Sequence, residues 1–150
     1  MKRLFVDTAG WMAMADGSDP LHIASMTARD DWLKNGGILC SSNYVVDETL
    51  TLVRMRLGMG AARKWWMMIS QSPRCKIEWI TPEREEKAVD WFFRWRNQSF
   101  SFTDCTSFVV MKELAISEVL TADRHFITAG FAIIPGMYGV QVCMGSNLDL

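Results

Sequence analysis

Long hydrophobic runs, paired cysteines, clustered histidines and an excess of either charge are all missing from this chain of 150 residues. No apolar stretch approaches the roughly 20 residues that a membrane-spanning helix needs. Only two histidines are present, His22 and His125, too few for the histidine-built zinc sites of many hydrolases. The four cysteines, Cys40, Cys75, Cys105 and Cys143, are scattered without a Cys-x-x-Cys pair. That pattern predicts reduced, mostly buried thiols and argues against a zinc ribbon. A formal net charge of −1 gives no global basic field to attract a polyanion. A nucleic-acid partner would therefore need local arginine and lysine patches or a bound cation. With soft ligands scarce, any metal here would be hard and held by oxygen.

What is present reads as one globular domain. Apolar residues make up 49% and charged residues 22% of the chain, the balance of a packed protein rather than a disordered one. A domain of this length buries about 68–70% of its unfolded surface, so neither metal nor disulfide is required for folding. The start, Met1 to Asp7, meets an acid too soon for a signal peptide, and the expectation is a cytoplasmic protein with no membrane association.

Short apolar runs alternate with helical patterns. Arg3 to Val6 predicts a buried first strand, and Gly10 to Ala15 a short helix. Ser18-Asp19-Pro20 supplies a cap and first-turn proline for a helix reaching about Lys34, stopped by Asn35-Gly36-Gly37. Ile38 to Ser41 predicts a second strand. Ser42-Asn43 caps a helix in which Val46, Leu50, Val53 and Leu57 form one apolar stripe, ended by Gly58. Ala61 to Ser72 is helical and closed by Pro73, and Cys75 to Ile80 reads as a third strand. Thr81-Pro82 opens a helix with acids in its first turns and Arg94 and Arg96 in its last, the order a helix dipole favours. Thr103 to Leu114 (helix), Val119 to Thr121 (strand), Asp123 to Ala129 (helix) and Phe131 to Ile134 (strand) complete the pattern. The fold expected is a single-domain α/β/α sandwich around a mainly parallel sheet. Its core runs from about residue 4 to 134, with a C-terminal extension over 135–150.

Four acids fall where such a sheet gathers ligands. Asp7 ends the first strand, Asp123 follows the fourth, Asp104 opens a helix, and Glu48 lies in the first turns of its helix. In parallel α/β sheets the carboxyl ends of the strands form the binding mouth. Each acid has a plainer reading. Asp7, Asp104 and Asp123 could be helix caps, with Ser101 to Asp104 as a capping box, and Glu48 a solvated surface residue. Grouped at one edge, however, they become an electrostatic unit. Two carboxylates about 4 Å apart repel by roughly 4 kcal/mol at an effective dielectric near 20, close to three pKa units. A divalent cation reverses that penalty, and Mg²⁺ or Mn²⁺ suits a site of carboxylates and water. It would lower the pKa of a bound water and offset charge on a phosphodiester.

Four segments carry a family likeness: Val6-Asp7-Thr8-Ala9, Val46-Asp47-Glu48-Thr49, Phe100 to Phe108 with its Thr103-Asp104-Cys105, and Leu120-Thr121-Ala122-Asp123-Arg124-His125-Phe126. Together they resemble the PIN-domain nucleases, and within them the VapC-type toxins, over Leu4 to about Ile134. The resemblance implies that Asp7, Glu48, Asp104 and Asp123 hold Mg²⁺ or Mn²⁺ and carry the catalysis. Thr8 and Thr103 would orient carboxylates or water. It further implies endonucleolytic hydrolysis of RNA, an antitoxin partner that blocks the acidic cleft, and a homodimer. The tail from Pro135 exceeds the usual length of the branch.

Other residues admit two readings. Asp47 neighbours Glu48, but adjacent helical residues point about 100° apart, so only one can face an ion. Glu48 matches the motif, and Asp47 is read as a supporting or surface residue. His125 could be a proton donor or substrate contact, but a single histidine followed by phenylalanine is read first as a packed or capping residue. Arg54, Arg56, Arg63, Lys64 and Arg124 fit phosphate contacts and solvated helix faces equally well. Trp65-Trp66-Met67-Met68 covers every side of a helical turn, which leaves core packing and a partner surface both open. Four other functions compete with this one. A PIN-fold RNA-processing nuclease outside any toxin–antitoxin pair shares the site. A receiver-type phospho-acceptor domain wants two acids after the first strand, where this chain has Thr8-Ala9; a phosphatase of the Asp-x-Asp type fails at the same position. A catalytically inactive binding module has nothing in its favour, because all four acids are present.

Overall fold

The computed structural model of the chain describes residues 1–135. Among these described residues five strands form one sheet in the order β3-β2-β1-β4-β5, with every neighbouring pair parallel. They are β1 (Arg3–Val6), β2 (Ile38–Ser42), β3 (Cys75–Glu78), β4 (Glu118–Thr121) and β5 (Ala132–Pro135). Seven helices among the described residues connect and cover them: α1 (Thr8–Ala15), α2 (His22–Lys34), α3 (Asn43–Leu57), α4 (Met59–Gln71), α5 (Pro82–Arg94), α6 (Phe102–Glu113) and α7 (His125–Thr128). The expected α/β architecture is the one observed, with an entirely parallel sheet. No helix among the described residues is long and apolar enough to cross a membrane.

The strand order fixes where a site can form. From β1 the chain steps outward to β2 and β3, then returns across the sheet to β4 beside β1 and on to β5. Right-handed crossovers then place α1 to α4 on one face and α5 to α7 on the other. The packing agrees, with α1 against α2 and α3, and α5 against α6. The direction of winding reverses between β1 and β4, so their carboxyl ends diverge into a crevice. Phe5 is in register with Val119 and Val6 with Leu120, which brings Asp7 and the residues after Thr121 to the same edge.

The inner strands are apolar on both faces because helices cover both. Leu4, Phe5, Val6, Val119 and Leu120 are fully buried. On one face Phe108 of α6 centres an aromatic cluster with Trp91, Phe100, Phe126 and Phe131. On the other, Trp11 of α1 meets Trp65 of α4 edge to face, with ring centroids 5.7 Å apart. The Trp65-Trp66-Met67-Met68 run therefore divides. Trp65 is core, while Trp66, Met67 and Met68 stay about half exposed. Cys40, Cys75 and Cys105 are free thiols, and Cys143 lies outside the described residues.

Element boundaries moved where capping chemistry differed from the sequence reading. Helix α1 begins at Thr8 rather than Gly10, because Asp7 is its N-cap and accepts the Gly10 N–H at 2.9 Å. Helix α2 begins at His22 rather than after Ser18-Asp19-Pro20. The Asp19 carboxylate accepts the Leu21 N–H at 2.8 Å and its carbonyl the His22 N–H, a turn that precedes the helix. Helix α4 starts two residues early, at Met59, and β3 ends at Glu78 rather than Ile80. Helix α7 is only His125–Thr128, because Asp123 stays outside it and accepts the His125 N–H at 2.9 Å. The extension expected from 135 onward lies outside the described residues, except Pro135, the last residue of β5.

Candidate active site

Asp7 is held at the floor of the crevice. It leaves the end of β1 and is only 5% exposed. Burial pushes its carboxyl up to about 7, and the charges of Asp123 and Asp104 push in the same direction. Hydrogen bonds from the Gly10 N–H and the Thr121 hydroxyl pull the other way without cancelling that effect. Thr121 also accepts the Asp123 backbone N–H at 2.9 Å. One hydroxyl at the end of β4 thus links the acid of one strand to the loop that carries the next.

Asp104 comes from the first turn of α6. Its Oδ2 accepts the Ser101 N–H at 3.1 Å while the Ser101 hydroxyl accepts the Asp104 N–H at 2.9 Å, a reciprocal capping box. The cap therefore serves the cleft as well, since it fixes the carboxylate at the crevice wall. Burial, reinforced by the Asp123 charge, raises the Asp104 carboxyl above its ordinary range, and His125 opposes that rise. Donor atoms of Asp104, Asp123 and His125 all lie within 4.8 Å of one another.

A cleft of about 290 Å³ opens over these groups, lined among others by Asp7, Thr8, Glu48, Thr103, Asp104 and Asp123. All four acids and both threonines expected from the sequence thus face one cavity. Their burial differs. Glu48, on the second turn of α3, is exposed at the rim, whereas Asp7 is sealed beneath. Asp47 is also exposed and, unlike Glu48, does not line the cleft.

Ser107 and Thr121 are not singled out by the sequence, whereas His125 and Arg56 each carried two readings there. His125 does pack, edge to face on Phe100, but its Nδ1 also lies 3.2 Å from Asp123 and 3.4 Å from Asp104. Ser107, one turn after Thr103 on α6, is buried with its hydroxyl aimed at no hydrogen-bond partner, and Thr8 is in the same condition. Both line the cleft. Arg56 lines it too, whereas Arg54, Arg63, Lys64 and Arg124 do not. The spacing Asp104-x-x-Ser107 on one helix was a usable signal for the serine. Thr121 and His125 stand in the Leu120 to Phe126 motif, but nothing local showed which acids either would touch.

The donor set fits a divalent cation. Carboxylate oxygens predominate, the deepest acid is hard to ionise unaided, two buried hydroxyls of the cleft lack partners, and the unpartnered His125 Nδ1 lies beside Asp104 and Asp123.

A parallel α/β domain with an acid-lined crevice at the β1/β4 switch point is a recognisable class. A family model for the PIN domain matches residues 4–132, and the chain belongs to that family. Among curated proteins it is 35% identical over 128 residues to the 23S rRNA-specific endonuclease VapC20 of Mycobacterium tuberculosis, covering 85% of this chain and 95% of that protein. The crystal structure of VapC20, described as a sarcin-ricin loop cleaving toxin, is similar with a TM-score of 0.78 and 33% identity. That similarity covers 86% of this chain and 96% of VapC20. FitAcB from Neisseria gonorrhoeae shares the fold at a TM-score of 0.65 and 14% identity, over 89% of this chain and 97% of that one.

Proposed function

We propose that this protein is a metal-dependent endoribonuclease, the toxin of a type II toxin–antitoxin pair. The observation that carries the reading is the convergence of Asp7, Asp104 and Asp123 from β1, α6 and the β4 loop on one crevice, with Asp7 raised to about 7. Burying like charges together without a counterion is costly. A site that does so is organised for a cation and, through it, for a phosphodiester.

In this reading Asp7, Glu48, Asp104 and Asp123 hold Mg²⁺ or Mn²⁺. Such an ion, when bound, lowers the pKa of a coordinated water and offsets charge building on the phosphoryl oxygens. The chain's own residues do the positioning. The Asp7 carboxylate is aimed by the Gly10 N–H and by the hydroxyl of Thr121. The Asp104 carboxylate is aimed by the Ser101 N–H. Thr8 and Thr103 orient carboxylates or water from the cleft wall, and Arg56 meets substrate phosphate at its rim.

VapC20 acts on 23S rRNA by name, so ribosomal RNA is the first substrate to test. An antitoxin that covers the acidic cleft, a homodimer and a cytoplasmic location belong to the same proposal. The test is cleavage of rRNA by the wild type with Mg²⁺, with Mn²⁺ and with chelator, beside Asp7→Asn and Asp104→Asn. Cation-dependent cleavage lost in both variants supports the proposal; equal cleavage by all three proteins would refute it. An adjacent reading frame for a small DNA-binding protein separates a toxin from a housekeeping RNA-processing nuclease.

A further inference from the structure

The geometry points to His125 as a nitrogen ligand of the cleft cation, making this a mixed site of carboxylate and imidazole rather than one of carboxylates alone. The inference rests on the metal-dependent reading above and concerns which groups hold the ion.

His125 Nδ1 lies 3.2 Å from Asp123 Oδ1 and 3.4 Å from Asp104 Oδ2. An ion pair with hydrogen bonds would account for such distances if the ring N–H pointed at either oxygen. It does not, for Nδ1 is buried and makes no hydrogen bond. The nitrogen points into the gap between two carboxylates and satisfies neither. Ligands of one ion show this spacing. With bonds of about 2.1 Å, neighbouring ligands lie about 3.0 Å apart in an octahedron and about 3.4 Å in a tetrahedron.

The rest of the ring is held as a ligating imidazole is held. Histidine ligands usually engage an oxygen through their second nitrogen, which fixes ring orientation and tautomer. Here Nε2 is 3.1 Å from the Ser99 hydroxyl. Phe100 stands at 86° to the ring with centroids 5.4 Å apart, and the His125 backbone N–H is tied to Asp123 Oδ1. Backbone, ring plane and far nitrogen are each constrained, and only Nδ1 is left unused. Buried, unused polar atoms are rare in proteins.

A nitrogen donor changes which ion the site prefers. Mg²⁺ takes oxygen ligands, whereas imidazole favours first-row transition ions. Mn²⁺ binds weakest of that series, so it is the stringent probe, and it is paramagnetic. The experiment is electron spin-echo modulation of Mn²⁺ bound to the full chain, with calorimetric titration of Mn²⁺ and Mg²⁺. Wild type, His125→Ala and Ser99→Ala are compared, and a sample labelled with ¹⁵N-histidine assigns the signal. The chain has one other histidine, His22, whose Nδ1 contacts the Ala13 carbonyl, and His22→Ala is the control.

Nitrogen modulation is expected in the wild type and His22→Ala, shifted by the label and lost in His125→Ala. Mn²⁺ affinity should fall by about tenfold or more in His125→Ala and less in Ser99→Ala. Mg²⁺ affinity should fall by about threefold at most. Absence of nitrogen modulation at saturating Mn²⁺ in the wild type overturns the inference, and needs no variant to fold. Unchanged or tighter Mn²⁺ binding by His125→Ala overturns it as well, since the ring would then be a bystander or a competitor. Either result alongside cation-dependent RNA cleavage leaves the nuclease reading standing; nitrogen coupling without any RNA cleavage does the opposite.

Discussion

Gly10 rests against the backbone carbonyl of Leu120 so closely that a Cβ at position 10 would collide with it. This contact seats the first turn of α1 on the seam between β1 and β4, the same seam where the crevice opens. The helix can approach only because residue 10 lacks a side chain, and the Gly10 N–H then reaches the Asp7 carboxylate.

Gly10→Ala is therefore expected to destabilise the protein, although alanine is the better helix former by about 1 kcal/mol. The clash is with backbone, which cannot rotate away, and overpacking of this kind costs about 1–3 kcal/mol. Denaturant unfolding measures the loss. Because α1 must lift to relieve the clash, the same variant should bind Mn²⁺ more weakly by calorimetry.

Asp7 should make the metal-free protein less stable as pH rises. Its carboxyl titrates near 3.8 when unfolded and at about 7 when folded, so the native state binds the extra proton between those values. The penalty is absent below about 4, grows through neutrality and is complete above 7. A shift of that size corresponds to about 4 kcal/mol. Asp7→Asn keeps an acceptor for the Gly10 N–H and removes the charge. In chelator it should be more stable than wild type at pH 8 and equal to it at pH 4, while being inactive on RNA. Mg²⁺ should close the pH 8 gap by stabilising the wild type alone. Thermal melts across pH, with and without the ion, test each part; a gap that does not depend on pH would contradict the argument.

The tryptophan pair in α4 separates core from surface within two residues. Trp65→Ala removes a buried ring packed on Trp11 and should cost about 3–5 kcal/mol. Trp66 is 48% exposed, and Trp66→Ala should change stability by about 0.5 kcal/mol at most. Urea midpoints of the two variants give the comparison directly.

The structure shows why parts of the molecule were legible in the amino-acid sequence. Asp7, Asp104 and Asp123 could be placed because each sits where a periodic segment starts or stops, and parallel sheets bring such points to one edge. Trp65 and Trp66 could not be sorted, since four large apolar residues in a row carry no phase for the helix that contains them. The start of α2 was missed because Asp19 spends its carboxylate on a turn, and turns and caps use the same residue types. The contacts of His125 were illegible for another reason. Its surroundings include Ser99, Phe100 and Asp104, which lie more than twenty positions away and meet it only after α6 has packed against α7.

Arg56 is the cation whose role the fold decides. Five basic residues on helices or loops were equivalent candidates for phosphate, and only Arg56 lines the acid cleft. It sits on the last turn of α3, exposed and in no salt bridge among the described residues. An acidic crevice repels a polyanion except where metal or arginine stands, so losing Arg56 should weaken RNA binding without touching the metal. Measured in an Asp104→Asn background to prevent cleavage, Arg56→Ala should bind RNA more weakly. The slope of log affinity against log salt should shrink by about 0.7, one single-strand phosphate contact. Mn²⁺ affinity should stay as in the parent. Arg56→Lys should restore the slope while recovering only part of the affinity, because lysine keeps the charge and loses the two-pronged hydrogen bonding of a guanidinium. A slope unchanged in Arg56→Ala would show the residue to be a solvated helix end, and the phosphate would then have to be held by the metal alone.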